Sequence, residues 1–417
     1  MLTKNLFELA LNITAPWFVE NIEFSNEDKK LDIYIDFKKG STFSYIDKDN
    51  DNIIIDKLKA YDTTNKEWRH LNFFEHECYL HARVPRVKLP NGKAKLIKTP
   101  WDGLSNGFTL LFEALLLQLV SAMPVKKVAD IVKTSDDKLW DMMNRYINQT
   151  RKLEDFKNVK SIGMDETSRA KGHDYITLFV DLEQRKTMYI TEGKDSNTVK
   201  DFKKDLESHN GSVESIKDVS CDMSPAFTKG INENLPNAKI TYDKFHIIKL
   251  INEAVDEVRR NEVEEFKILK GTRYIFLKNE QNLTQKQQET LEKCTMSNMN
   301  LKTVRAYNIK KSFQVIYRAT TQDEFITYLN KWYFWASHSR LEPIKKVAKT
   351  IKKHWNGIIN YHTSNITNGI LEGLNSVIQA AKSKARGYKT SKNFKNIVYL
   401  LTGKLDFSLI NPNYSNI

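Results

Sequence analysis

Three carboxylates in this sequence have the residue type and the setting that metal-dependent cleavage of a phosphodiester requires. Asp165 follows the apolar residues 162–164, Asp222 follows residues 219–221, and each is predicted to end a strand. A charged side chain interrupts a buried strand only at a free-energy cost, so carboxylates at such strand ends are often functional. Glu372 lies in a later, helical segment. Phosphoryl transfer with two Mg²⁺ ions needs carboxylates that converge on one point, and three suffice because Mg²⁺ keeps several water ligands.

Residues 158–246 are predicted to form the sheet that carries both aspartates. Three β-like runs follow one another closely, and then come a helix, a fourth strand, a second helix and a fifth strand. Strands joined first by hairpins and then through helices form a mixed sheet with parallel crossovers. This order is typical of an RNase H-like core. We therefore predict an α/β fold with a mixed five-stranded sheet flanked by helices.

The helix predicted around Glu372 carries polar side chains on one face, at Asn368, Glu372, Asn375 and Gln379. Apolar residues occupy the opposite face, so that this helix, packed against the sheet, would direct Glu372 toward the strand ends. Gly373 costs helix stability, about 1 kcal/mol relative to alanine, and predicts a close approach of the backbone to another group. A polar stripe that faces solvent is the alternative interpretation.

Asp243 also follows a predicted strand and competes with Asp222 for the role of second carboxylate. His246 lies one helical turn further. A buried, hydrogen-bonded histidine is the simpler expectation for it, and a contact with water or DNA is the alternative.

Cationic side chains cluster on both sides of the predicted site. One group lies in the turn 169–173, and another follows the helix of Glu372 in residues 382–389. Contacts with phosphate would suit both groups, and a solvated basic face is the alternative. The candidate DNA contacts are Arg169, Lys171, His173, His246, Asn368, Asn375, Lys382, Lys384, Arg386 and Lys389.

The overall composition favours a polyanionic partner. Lysine and arginine exceed the acidic residues and give a net charge of +13, which favours a nucleic-acid partner. An AT-rich genome, which raises the lysine content of its proteins, is the alternative explanation. The three cysteines are far apart and predict neither a disulfide framework nor a zinc site. No run reaches the roughly 18 apolar residues of a membrane span, and no signal peptide is recognised, so a cytoplasmic protein is expected.

Five segments are predicted along the chain, and the second of them is predicted to be a helix-turn-helix. In it, two amphipathic stretches flank a polar break, where Ser135 is the expected N-cap of the second helix. Any helical hairpin would look similar. The segments are a β-rich module (1–104), this helix-turn-helix (105–150), the first part of the core (158–246), an all-helical insertion (247–360) and a last core helix with a basic tail (361–405).

Several separate segments of the chain resemble the bacterial insertion-sequence transposases of the ISL3 family, in the same order. They are residues 68–87, 161–183, 221–260, 332–343 and 364–388. The resemblance implies an RNase H-like catalytic domain with a helical insertion before the catalytic glutamate. It also implies metal-dependent strand cleavage and strand transfer at the inverted repeats of a mobile element. By motif, the DDE carboxylates of the family correspond to Asp165 in GMDE, Asp222 in CDMS and Glu372 in LEGLN.

The chain departs from that family in its N-terminal module. Similar proteins usually carry a cysteine zinc finger there, whereas residues 40–50 and 86–92 contain no cysteine, and Cys78 alone cannot make a zinc site. We therefore expect no zinc, and either a module that folds without metal or one whose DNA-binding role has decayed.

The resulting hypothesis is a transposase that uses two Mg²⁺ or Mn²⁺ ions, binds double-stranded DNA and acts as a homo-oligomer, because two DNA ends must be held together. Two alternatives stay open: a DNA-binding protein derived from a transposase that has lost catalysis, and an RNase H-like nuclease that hydrolyses DNA without joining it.

Overall fold

The structure is a computed structural model in which the described residues are 2–47, 53–105, 107–170, 174–296, 300–364, 366 and 369–416. They form a mixed α/β fold with two sheets and many helices. None of the helices in this described part is long and apolar enough to cross a membrane.

The N-terminal module is a twisted sheet with a buried aromatic and aliphatic core. Within the described residues its strand order is β1-β2-β5-β4-β3, β6 pairs with β5, and only β2 and β5 run parallel. Trp17, Ile33 and Trp68 are buried in its core, as is the free thiol of Cys78. The elements are α1 (Leu2–Ala10), β1 (Trp17–Ser25), β2 (Lys30–Phe37), β3 (Thr42–Asp47), β4 (Ile53–Arg69), β5 (Glu77–Lys88) and β6 (Ala94–Leu96).

Three helices follow, α2 (Leu110–Ala122), α3 (Val125–Ile131) and α4 (Asp136–Arg151). The predicted break between α3 and α4 is confirmed, because Ser135 is the N-cap of α4 and its side chain accepts a hydrogen bond from the Lys138 backbone N–H at 3.4 Å. The predicted apolar stripes of α3 and α4 face inward, since Val128 and Met142 are fully buried.

The second sheet has the predicted alternation of strands and helices. Its described strands follow the order β11-β10-β7-β8-β9, with parallel pairing of β10 to β7 and to β11, and hairpin pairing of β7, β8 and β9. Phe179 of β8 stacks on Phe202 of α5, with 4.4 Å between ring centres, which packs α5 against one face of this sheet. The elements are β7 (Ser161–Ala170), β8 (Asp174–Asp181), β9 (Lys186–Glu192), α5 (Asn197–Ser208), β10 (Asp218–Cys221), α6 (Pro225–Asn234) and β11 (Lys239–Tyr242).

The described residues between 247 and 360 are helical and contain no strand, as predicted. Buried polar groups join these helices: the Glu262 carboxylate at the end of α7 accepts the backbone N–H groups of Lys302 and Thr303 at 2.7 Å each, at the start of α10. Trp332 is a core residue and donates to the Ile309 carbonyl at 2.9 Å. The helices are α7 (Lys244–Glu262), α8 (Arg273–Leu277), α9 (Gln285–Met296), α10 (Lys302–Ile316), α11 (Gln322–Ser337), α12 (Glu342–Lys353) and α13 (Trp355–Ser364).

The chain then returns to the second sheet through α14 (Gly369–Lys384) and α15 (Ser391–Thr402). One continuous hydrophobic cluster joins α2–α4, β8, α14 and α15, so the three helices before the sheet pack directly on it. The Asn411 amide reinforces this junction, because it donates to the Tyr146 hydroxyl and to the Leu110 carbonyl at 2.8 Å each.

Candidate active site

The parallel registers of the second sheet align three aspartates across neighbouring strands. Ser220 of β10 lies opposite both Gly163 of β7 and Thr241 of β11. Neighbouring strands are about 4.8 Å apart, and residues two apart in a strand lie on the same face. An aspartate follows two residues after each of the three aligned residues, Gly163, Ser220 and Thr241. This aspartate row consists of Asp165, Asp222 and Asp243.

The strand-end position predicted for Asp165 is wrong. β7 continues to Ala170, and Asp165 lies in its interior, opposite Leu178 of β8. On the other side, however, the pairing of β7 with β10 stops at Gly163. Asp165 is therefore fixed by the hairpin on one side and is open toward Asp222 on the other. Asp222 and the competing Asp243 directly follow β10 and β11, as predicted.

The charges of the aspartate row act on one another. Burial raises the pKa of Asp165 to about 6, and the negative charges of Asp222 and Asp243 add to the shift. The backbone N–H of Glu166, 2.8 Å from Asp165 Oδ1, and the nearby His246 oppose it. Burial and Asp222 also raise the pKa of the Glu166 carboxyl. A cation among these groups would relieve the repulsion, and carboxylate oxygens are the type of ligand that suits Mg²⁺.

Helix α14 packs on β7 at a point where only glycine leaves room. A methyl group on Gly163 would lie 2.8 Å from Leu371 Cδ1 and 2.9 Å from Leu182 Cδ2. At Gly373, where a close approach was predicted, an added methyl group would meet nothing within 4 Å. The close contact is therefore made at Gly163 of β7, two residues before Asp165. It places Leu371, the residue before Glu372, against the sheet.

The polar face of α14 is turned toward β7 in part. The Asn375 amide donates to Asp165 Oδ2 at 2.5 Å, and the Gln379 amide donates to Thr167 Oγ1 at 3.1 Å. Asn375 thus orients the first aspartate, whereas it was proposed from the sequence as a DNA contact.

Glu372 is exposed and lines a cleft of about 880 Å³ together with Ser220 and Asp243. Among the residues that the structure describes, no three carboxylate, imidazole or thiol side chains converge closely enough to hold a metal ion. The structure therefore brings Asp165, Asp222 and Asp243 into one row and leaves Glu372 beside the adjoining cleft.

Several predicted DNA contacts are engaged within the protein. Arg169 forms an ion pair with Asp174, the Lys382 ammonium donates to the Ser168 carbonyl at 2.5 Å, and Lys384 donates to the Ala122 carbonyl at 2.7 Å. Arg386 and Lys389 are exposed. Lys171, His173 and Asn368 lie outside the described residues.

His246 is not the buried histidine that was expected. Its side chain is 35% exposed, and Nε2 lies 3.8 Å from Asp243 Oδ2. Its position beside the aspartate row keeps it available for a ligand at the sheet edge.

Two features of the site were missed from the sequence. Glu166 brings a further carboxylate next to the aspartate row. The helical region supplies the far side of the cleft, including Phe245, Tyr307, Tyr317 and Arg318. The Lys-Phe pair directly after Asp243 was the only local signal of this second feature.

Comparisons with known proteins identify related sequences. Residues 162–398 match the sequence model of the ISL3 family described as a transposase, and residues 105–147 match the helix-turn-helix domain of transposase family ISL3. The transposase for insertion sequence element IS1001 of Bordetella parapertussis is 26% identical over 347 residues, which cover 81% of this chain and 84% of that protein. The transposase for insertion sequence element IS1557 of Mycobacterium tuberculosis is 25% identical over 354 residues, covering 78% and 79%.

Proposed function

Because the chain belongs to the ISL3 family of transposases, we propose that it cuts and joins DNA at the terminal inverted repeats of an insertion sequence, by a DDE-type reaction at the aspartate row. Water hydrolyses the phosphodiester at the element's end and leaves a 3′-hydroxyl and a 5′-phosphate. The 3′-hydroxyl then attacks a phosphodiester of the target DNA in line, joins to its phosphorus and displaces the 3′-hydroxyl of the target strand. The register that aligns Asp165 with Asp222 is the observation that carries the proposal.

The fold around the site is proposed to be an RNase H-like core interrupted by a helical insertion. The strand order β11-β10-β7-β8-β9 and the helical residues between β11 and α14 support this assignment. In this proposal α14 belongs to the core, since Leu371 packs against Gly163 of the central strand β7.

Asp165, Asp222 and Glu372 are the residues that we propose to hold two divalent ions, Mg²⁺ or Mn²⁺. Bound there, the ions would stabilise the charge that develops on the attacking and leaving oxygens. Asn375 keeps Asp165 Oδ2 oriented, and the Ser224 backbone N–H, 3.0 Å from Asp222 Oδ1, does the same for the second aspartate.

Asp222 is a better second ligand than Asp243 because it follows the strand directly adjacent to β7. Asp243 already serves as the N-cap of α7, where its side chain accepts the Phe245 backbone N–H at 3.0 Å, and it faces His246. We propose that Asp243 shapes the sheet edge and the start of α7.

DNA binding is assigned to the helix-turn-helix formed by α3 and α4, which matches that domain of the family. Two ends of an element must be held together for transposition, so the working form is proposed to be a homo-oligomer on double-stranded DNA.

The proposal is tested by a cleavage assay on DNA that carries the element's own ends, with Mg²⁺. Asp222→Ala should abolish cleavage and retain DNA binding, whereas Asp243→Ala should retain both. Asp218→Ala is the matched control, since Asp218 begins the same strand β10 at its opposite end.

The alternatives give different patterns in the same assay. Loss of cleavage in Asp243→Ala alone would move the second ligand to that residue. Specific binding without cleavage by the wild type would indicate a DNA-binding derivative, and cleavage without joining would indicate a nuclease.

A further inference from the structure

The cleft beside the aspartate row extends into the helical region, where its lining becomes aromatic and cationic. Phe245, at the start of α7, is 58% exposed although it is a large apolar side chain. Lys244 and Arg318 line the same cleft, and neither forms an ion pair with a carboxylate of the described residues. The Lys244 ammonium lies 4.4 Å from the centre of the Tyr317 ring. This side of the cleft therefore offers an exposed aromatic face and two cationic side chains that form no ion pair within the described residues.

Two phenol groups in the cleft lack a hydrogen-bond partner. The hydroxyl oxygens of Tyr307 and Tyr317 are buried, and neither has a partner among the described residues. Tyr307 itself is only 4% exposed. Their hydroxyls are closed off from the cleft, so the two residues contribute aromatic surface to it.

We propose that this cleft binds an unpaired DNA strand at the end being cut, with a base stacked on Phe245 and phosphates near Lys244 and Arg318. The assignment rests on the proposed function, because the strand is the one that the aspartate row would cleave. Aromatic faces stack on any base, and cations follow the phosphates of a single strand. A base inside a duplex does not expose its face. Glu372, the third carboxylate of the proposed site, also lines this cleft, as do Ser220 and Asp243.

Binding in EDTA tests the proposal without any dependence on cleavage. The two probes are a short blunt duplex and the same duplex with a single-stranded oligothymidine extension at one 3′ end. Wild-type protein should bind the extended probe more tightly, and Phe245→Ala should lose about 5- to 100-fold of that preference, as expected for one stacked base. Phe334→Ala is the control, because Phe334 is 66% exposed on α11 and does not line the cleft. An undiminished preference in Phe245→Ala would overturn the proposal.

Photocrosslinking locates the strand directly. With 5-iododeoxyuridine in the extension, crosslinks identified by mass spectrometry should fall on Phe245, Tyr307 or Tyr317. Crosslinks confined to residues outside the cleft would refute the assignment.

The two proposals fail in different ways. Asp165→Ala should keep the preference for the extended probe while it abolishes cleavage. Cleavage by a wild-type protein that shows no such preference would refute the cleft proposal alone. The preference without any cleavage by the wild type would support the cleft and count against the proposed function.

Discussion

Replacing Gly163 with alanine should impair DNA cleavage by shifting the helix that carries Glu372. The added methyl group would lie 2.8 Å from Leu371 Cδ1, whereas carbon atoms pack at about 3.5–4.0 Å. The tip of the buried Leu371 side chain would therefore have to move by about 1 Å. Where α14 shifts with it, the next residue, Glu372, is displaced too, and a displacement of about 1 Å in this proposed metal ligand would cost up to about 100-fold in rate.

The same substitution has a smaller expected effect on stability. Overpacking of a core typically lowers the free energy of unfolding by about 1–3 kcal/mol. Alanine also reduces the conformational freedom of the unfolded chain, which offsets about 0.4–1 kcal/mol of this loss. The net loss in the free energy of unfolding should be about 1–2 kcal/mol, which leaves the protein folded.

Gly373→Ala is the matched control for this substitution, because the added methyl group has open space there. It should raise the free energy of unfolding by up to about 1 kcal/mol, since alanine favours a helix over glycine. Urea unfolding and single-turnover cleavage with Mg²⁺ measure the two effects separately.

A double substitution tests the cause. Leu371→Val shortens the side chain that the new methyl group would meet, so it should restore part of the stability and activity that Gly163→Ala loses. A coupling free energy of at least about 0.5 kcal/mol is expected for residues in contact. Wild-type cleavage and stability in Gly163→Ala would refute the reasoning.

Three further substitutions follow from charged groups in the interior. Asp165→Asn should stabilise the metal-free protein at pH 7 by up to about 3 kcal/mol. The folded pKa of about 6 lies above the ordinary value of 3.8, so the favourable contribution of Asp165 is complete below pH 4 and is lost as the pH rises through 6. Urea unfolding in EDTA should show a clearly larger gain at pH 7 than at pH 4.5, and an equal gain at both would contradict it. Glu113→Gln should cost about 2–4 kcal/mol, because the buried carboxylate accepts two backbone N–H groups and the Tyr146 hydroxyl; unchanged thermal unfolding would argue against this network. Lys310→Met should cost about 1–3 kcal/mol, since its ammonium donates to carbonyls at the end of α8, among them that of Phe276 at 2.9 Å, and a more stable variant would show that burial of the charge outweighs these bonds.

The sequence predicted those parts of the site that depend on local patterns. Asp222 and Asp243 each follow a short apolar run, and the polar residues after them mark the end of the strand. The position of Asp165 was mistaken because residues 166–169 are polar, yet β8 pairs with this segment and extends the strand.

The relation between Glu372 and the aspartate row could not be predicted because it depends on contacts between distant parts of the chain. Gly163 gave no sign that Leu371 would pack against it, and Asn375 gave none that it would bind Asp165. The far side of the cleft likewise comes from α7 and from residues in and just after α10, which only the folded insertion brings together.

The hydrophobic cluster that joins α2–α4 to β8 and α14 holds the helix-turn-helix at a set distance from the proposed active site. In the proposed reaction, the distance between the sequence that α3 and α4 bind and the phosphodiester that is cut is therefore set by the fold. Inserting a single base pair between the recognised sequence and the cut would move the scissile phosphate by about 3.4 Å along the helix axis and turn it by about 35° around that axis. The protein would therefore cut at a fixed number of base pairs from the sequence that it binds. The length of the element's end would then be set by this fold as well as by the DNA.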